Sequence, residues 1–202
     1  MHGITDDGSP SAHPIASDNL FRQVRASGRL ERSYEEDMPA PCALSSAGRY
    51  AIKHNPAAYY QGGTDREACR RDDVTLGTPT SGPLATGLAS GHLPAFTFVT
   101  PNLCDDTHDC AVAVGDAWLG RWMRVILNSP TYRDRRTAVF VIWDEPTPMP
   151  NLVISPTTPP GTRLGAPVDH YALRRTTEEL LGLSQHLGAA ATSRSLRRSF
   201  RL

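Results

Sequence analysis

Residues 95–143 read AFTFVTPNLCDDTHDCAVAVGDAWLGRWMRVILNSPTYRDRRTAVFVIW, and this stretch decides the fold class. AFTFVTP (95–101) is an apolar, β-branched and aromatic run that must stop at Pro101, so it reads as a buried strand. AVAVGDAWLGRWMRVILNS (111–129) changes to a helical period, with Trp118, Trp122, Val125 and Ile126 on one side, and the two tryptophans read as a packing stripe. TAVFVIW (137–143) is again almost continuously apolar, as a central parallel strand is. Strand, long helix, strand is the sequence of an α/β unit.

Working outward, NLVISP (151–156) reads as a shorter strand. DHYALRRTTEELLGL (169–183) is an amphipathic helix that Asp169 can cap, and a last short helix lies around Arg194–Phe200. Toward the N-terminus, SDNLFRQVRASG (17–28) is a helix with Ser17 or Asp18 as capping candidate. RSYEEDMPAPC (32–42) is a short strand running into a loop. Residues 61–92 look irregular, with at most a short helix near Leu84–Leu88, and residues 1–16 form a loop. The expected architecture is α/β, a mostly parallel sheet flanked by helices, within one domain spanning 1–202. No internal repeat is visible.

The chain has 202 residues and a formal net charge of +0, which favours neither nucleic acid nor an anionic membrane through bulk electrostatics. Lys53 is its only lysine; the other basic residues are arginines, a skew that GC-rich coding explains most simply. No run approaches the roughly 20 apolar residues of a membrane span. MHGITDDGSPSAHP has neither the positive nor the apolar region of a signal peptide. The four cysteines permit Cys104–Cys110 as a tight staple and Cys42–Cys69 as a longer loop in an oxidising compartment, or free thiols in a reducing one. No CxxC pair supports a cysteine zinc site.

Chemistry concentrates where strands end. AFTFVTP runs out into NLCDDTHDC, which crowds Asp105, Asp106, His108 and Asp109 together, and TAVFVIW runs out into Asp144 and Glu145. Ligands of open parallel sheets sit beyond the carboxyl ends of the strands, so both clusters are expected to face one crevice. Crowded carboxylates with an imidazole suit Mg, Mn, Ca or Zn, or else form a solvated acidic loop; spacing alone leaves both open. Asp169-His170 reads as a cap followed by an exposed ring, and His54-Asn55 as a loop pair. His2, His13, His92 and His186 have no polar company in the sequence.

Six segments follow one another in order: HNPAAYY, LPAFTFVTPNLCDDTHDC, GDAWLGRW, TAVFVIWDE, LVISPTTPPGT and DHYALRRTTEELLGL. Together they resemble the bacterial phosphoesterase family of acid phosphatases and phospholipases C, a branch of the alkaline phosphatase superfamily. The resemblance runs from about Gly3 through the closing SLRRSF. It implies an alkaline-phosphatase-like α/β fold and hydrolysis of phosphate esters, from small esters to phospholipid headgroups, at a divalent metal centre. A Ser or Thr attacks phosphorus while the metal activates it and neutralises the phosphoryl oxygens.

Residue by residue, the resemblance implies Asp144 and Glu145 as metal ligands beside the nucleophile, with Asp106 and His108 binding a second metal or the phosphoryl group. His170 joins them, and His108 and His170 carry catalytic roles. His54 and Asn55 are implied to be substrate contacts. The family places Asn where Asp105 stands and Met where Thr107 stands, so this chain adds a charge. The family's first strand, an acidic ligand and the nucleophile precede the segment matching GITDDGSP, where this chain begins. The sequence is therefore expected to be a fragment, a misplaced start or a remnant, weak or inactive as a phosphatase of acid type. Ser9, Ser11 and Thr5 have no surroundings that make them substitutes. A secreted full-length protein is the implied setting, with a phospholipase C-like phosphodiesterase and a non-catalytic binding domain as alternatives.

Overall fold

The structure is a computed structural model that describes residues 2–145 and 149–202. It falls into two compact units, residues 1–126 and 127–202.

In the first unit, helix α1 (Leu20–Ala26) is capped by Asn19, whose side chain accepts from the Arg22 N–H at 2.9 Å, rather than by Ser17 or Asp18. The short side-chain oxygen of Asn19 reaches the free N–H of the first turn, which is what a cap must do. Strand β1 (Glu31–Glu35) comes next along the chain. It is central in a parallel three-stranded sheet, order β2-β1-β3, with β2 (Asp73–Thr75) and β3 (Phe96–Thr100) on either side. The register pairs Ser33 with Asp73 and with Phe98.

Alternation along β1 separates two chemistries. Tyr34, 1% exposed, joins Leu76, Leu84, Leu88, Trp118 and Trp122 in the main apolar core. These come from β1, the end of β2, helix α3 (Pro83–Ser90) and helix α4 (Val112–Asn128), so the tryptophan stripe packs as its spacing predicts. Glu31, Ser33 and Glu35 point the other way and are also buried. Arg25 holds Glu31 at 2.5 Å, while Ser33 and Thr100 donate to Glu35 at 2.7 and 3.2 Å.

Helix α2 (Asp65–Asp72) and strand β2 occupy a region that reads as irregular. The buried positions of α2 are Asp65, Ala68, Cys69 and Asp72, a helical spacing with no large apolar residue in it. Asp65 is tolerated inside because Asn19, Arg22 and Arg25 all donate to it. Disulfides join Cys42 to Cys69 and Cys104 to Cys110.

The second unit holds the short helix α5 (Pro130–Arg133), strands β4 (Val139–Val141) and β5 (Leu152–Ile154), and helices α6 (His170–Leu180) and α7 (Arg197–Phe200). β4 and β5 pair antiparallel in a sheet of their own, Phe140 opposite Val153. This corrects the expectation that TAVFVIW is a central parallel strand. The connection between them is too short for the crossover of a dozen or more residues that parallel pairing needs. Ala172, Leu196 and Phe200 form the unit's core with Val153, Leu164 and Leu202. Asp169 caps α6 as expected, accepting from the Ala172 N–H at 3.0 Å. The fully buried Glu178 accepts from Arg174, His186 and the Leu187 N–H. His186 therefore has polar company that sequence did not show, as does His13, 2.5 Å from Asp6.

Candidate functional site

The parallel sheet delivers polar groups past its carboxyl edge. β3 ends at Thr100, and Asn102, 5% exposed, organises the acidic loop beyond it. Its carbonyl side-chain oxygen accepts from the Cys104 and Asp105 N–H groups at 2.9 and 3.0 Å, winding that loop into a turn. Its amide donates to Asp37 at 2.8 Å, tying the turn to the end of β1. The Cys104–Cys110 bridge closes the loop. Gly115 lets helix α4 lie against it: a Cβ there would come within 2.4 Å of Thr107 Cγ2 and 2.8 Å of the Asp105 carbonyl. Thr107 takes φ 74°, a conformation costly for a β-branched residue and held by this closure.

Glu36 leaves β1 beneath the same loop. It accepts from the Asn102 N–H at 3.0 Å and from Trp118 Nε1 at 2.8 Å. Burial pushes its carboxyl up to about 6, against the lowering effect of those two donors, with Asp105 and Asp37 adding like-charge repulsion. Glu36, Asp37 and Asn102 were not singled out from sequence. The available signal was Glu36-Asp37 directly after a strand and Pro101-Asn102 directly after another, at one sheet edge.

The reactive-looking part of this edge is a pair of imidazoles. His54 Nδ1 lies 3.2 Å from Asp106 Oδ2, and the Asp106 Oδ1 accepts from the His108 N–H at 2.8 Å. His108 Nδ1 is 2.7 Å from Asp109 Oδ1, and the two rings sit 6.0 Å apart, edge to face. A carboxylate only accepts, so His108 Nδ1 donates to Asp109 and that ring, when neutral, keeps its lone pair at Nε2, while His54 Nδ1 stands within ion-pair range of Asp106. Asp109 thus fixes the tautomer of His108, and Asp106 places a negative charge beside the His54 ring. His54 is anchored beside β3, its carbonyl 3.5 Å from Thr100 Oγ1.

Asn55, paired with His54 in the sequence reading as a substrate contact, lies behind this surface. It is fully buried and donates to Tyr50 at 2.9 Å and Asp73 at 2.8 Å, which leaves it no open side. Burial raises Glu35 to about 8 and Asp73 to about 7, so this inner layer carries protons near neutral pH. Cys42, Cys69 and Asp73 place ligand-type atoms within 4.8 Å of one another, yet the two sulfurs are bonded to each other and offer no thiolate to a cation.

The second unit gathers the other predicted residues. Asp144 and Glu145 are exposed just after β4. His170 Nε2 is 3.2 Å from the Trp143 carbonyl, so that nitrogen donates and Nδ1 keeps the lone pair of the neutral ring. Trp143 is fixed in turn by its N–H to Asn151 Oδ1 at 2.9 Å. The structure therefore brings His170 next to the Asp144 segment, as it brings His54 and His108 to Asp106. Asp106 and Asp144 leave strands of different sheets, which corrects the expectation of two ends of one sheet.

The fold is an α/β protein whose parallel sheet gathers carboxylates and imidazoles beyond its carboxyl edge, where ligands of open parallel sheets sit. Residues 2–176 match the phosphoesterase family, and the chain belongs to that family. It is 30% identical over 187 residues to a phosphatidylinositol-3-phosphatase of Mycobacterium tuberculosis, covering 90% of this chain and 58% of the relative. It is 30% identical over 118 residues to the phosphate-repressible acid phosphatase of Penicillium chrysogenum, covering 55% of this chain and 27% of that one. An acid phosphatase of Aspergillus fumigatus is 31% identical over 96 residues, 48% of this chain and 20% of its own. The chain thus spans less than two thirds of the length of each of these relatives.

Proposed function

We propose that this chain carries the imidazole and metal-ligand part of a phosphomonoesterase of acid phosphatase type. The observation that carries the reading is the Asp106–His54 pair with His108 beside it. Two histidines, each with Nδ1 beside an aspartate, turn Nε2 toward a phosphoryl oxygen or a proton in transit. General acid–base groups of this kind contribute about 10²–10⁴-fold. His54 and His108 would hold the phosphoryl group and move the proton of the leaving oxygen, with Asp106 and Asp109 fixing their orientation.

Asp144, Glu145 and His170 Nδ1 suit a hard or borderline divalent cation such as Mg, Mn, Ca or Zn. The fit rests on the donor set: two exposed carboxylates with no ion pair among the described residues, and a ring whose other nitrogen is already used. Asp106 and His108 remain alternative ligands for a second ion. When bound, the cation would neutralise phosphoryl charge and lower the pKa of an attacking hydroxyl. The substrate is a small phosphate monoester, or a phosphorylated lipid headgroup of the kind named for the mycobacterial relative. That name favours a monoesterase over a phospholipase C-like diesterase. The two disulfides suit an extracytoplasmic setting. Among the described residues no helix is long and apolar enough to cross a membrane.

The test is calorimetric binding of manganese and of inorganic phosphate to the chain, beside hydrolysis of p-nitrophenyl phosphate and phosphatidylcholine. Manganese binding weakened by Asp144→Ala, phosphate binding weakened by His54→Ala, and preference for the monoester are expected. A chain that binds neither ion overturns the reading.

A further inference from the structure

The last ten residues, SRSLRRSFRL, carry four arginines on a chain whose formal net charge is +0. Leu196 and Phe200 are buried in the core of the second unit, one helical turn apart, and this turns their neighbours outward. Arg194, Arg197 and Arg198 line an open groove of about 440 Å³ with Ser195, Ser199 and Glu179. All three arginines are solvent-accessible, and none belongs to an ion pair among the described residues. Glu179, the acidic member, is already engaged: it accepts from Ser195 at 2.6 Å and from Arg175 at 2.6 Å. Those two donors hold its carboxyl below the usual range, Ser195 contributing most. The groove therefore has a cationic rim and no unmet acidic group.

We propose that this groove is a second anion site, which takes the phosphate of an anionic headgroup separately from the histidine and carboxylate groups of the candidate active site. Guanidinium forks match phosphate oxygens two at a time, and the groove is of the size that receives small ligands. The rim is too small for a nucleic-acid track, where six to ten phosphate contacts are usual. The phosphate can come from a phospholipid at a bilayer surface or from a soluble ester.

The experiment is co-sedimentation with vesicles of phosphatidylcholine, alone or mixed with phosphatidylserine, and calorimetric titration with inorganic phosphate. Both use the chain and its Arg194→Ala/Arg197→Ala/Arg198→Ala variant. Near an anionic leaflet each basic residue is worth about fivefold, so the variant should lose binding on the order of a hundredfold. Binding to the mixed vesicles, lost in the variant and at high salt, assigns the groove to lipid; loss of one of two phosphate-binding events in the variant, without vesicle binding, assigns it to soluble esters. Equal binding by chain and variant, no binding to either probe, or tighter binding to duplex DNA than to vesicles overturns the proposal. Circular dichroism of the variant verifies its fold. Manganese binding through Asp144 is read independently, so failure here leaves the proposed phosphatase chemistry standing.

Discussion

His54 Nδ1 stands 3.2 Å from Asp106 Oδ2, which joins the KHNP loop to the acidic loop at the end of β3. The contact orients a histidine by a carboxylate brought from elsewhere in the chain. His54 faces Asp106, which the His108 N–H holds in turn, so the three residues depend on one another.

That dependence predicts non-additive losses. His54→Ala and Asp106→Asn should each lower phosphomonoester turnover by about 10²–10⁴-fold, and the double variant should be little worse than the poorer single one. Steady-state assays with p-nitrophenyl phosphate measure this. Losses that multiply would show that the two residues act separately.

Removing Asp144 should affect the cation and not the fold. Asp144 is exposed beyond the end of β4, so Asp144→Ala should leave the melting temperature without metal unchanged. Manganese affinity should drop by at least about 10–100-fold, the range seen even for partners outside the ligand shell. Unchanged affinity by calorimetry would remove Asp144 from the ligand set.

Stability should fall as pH rises. Burial lifts Glu35 to about 8 and Asp73 to about 7 in the folded protein, above ordinary values of 4.5 and 3.8. The folded state then holds more protons than the unfolded chain between those limits. This contribution is complete below the unfolded values and is lost as pH climbs through the folded ones. The melting temperature should be lower at about pH 9 than at about pH 5, and Glu35→Gln with Asp73→Asn should flatten the slope. A slope that survives both substitutions would place its origin elsewhere.

The two disulfides should differ in weight. Loop entropy assigns ~3.6 kcal/mol to Cys42–Cys69, which closes 27 residues, and ~2.2 kcal/mol to Cys104–Cys110, which closes 6. Denaturant unfolding of the two serine pairs should rank them in that order. Loss of Cys104–Cys110 should also weaken phosphate binding, because it frees the loop that carries Asp106 and His108. Unaltered phosphate binding would mean that Asn102 alone positions the loop.

Elements with strong period and clear stops were readable. Helix α4, strand β3 and helix α6 with its Asp169 cap lie where the pattern puts them. Helix α2 escaped because its inner face is Asp65, Ala68, Cys69 and Asp72, and its carboxylates are burial-competent only through partners such as Asn19, Arg22 and Arg25 that lie far off in the sequence. The cap of α1 shifted to Asn19 because three adjacent residues can all serve and geometry selects one. At the site, the acidic loop and the histidines announced themselves by type. Glu36 and Asp37 did not, because an acidic pair after a strand looks like ordinary solvated surface until Trp118 and Asn102 are seen to bond it.

By itself, then, the sequence determined which side chains could do chemistry, where the regular elements run and which family motifs they follow, since those depend on residue type and local spacing. Tertiary structure alone decided the partners. It faced His54 with Asp106, buried Asn55 behind them, and paired TAVFVIW with its neighbour in an antiparallel sheet. Contacts between residues distant along a chain depend on how elements pack, and no local pattern encodes that.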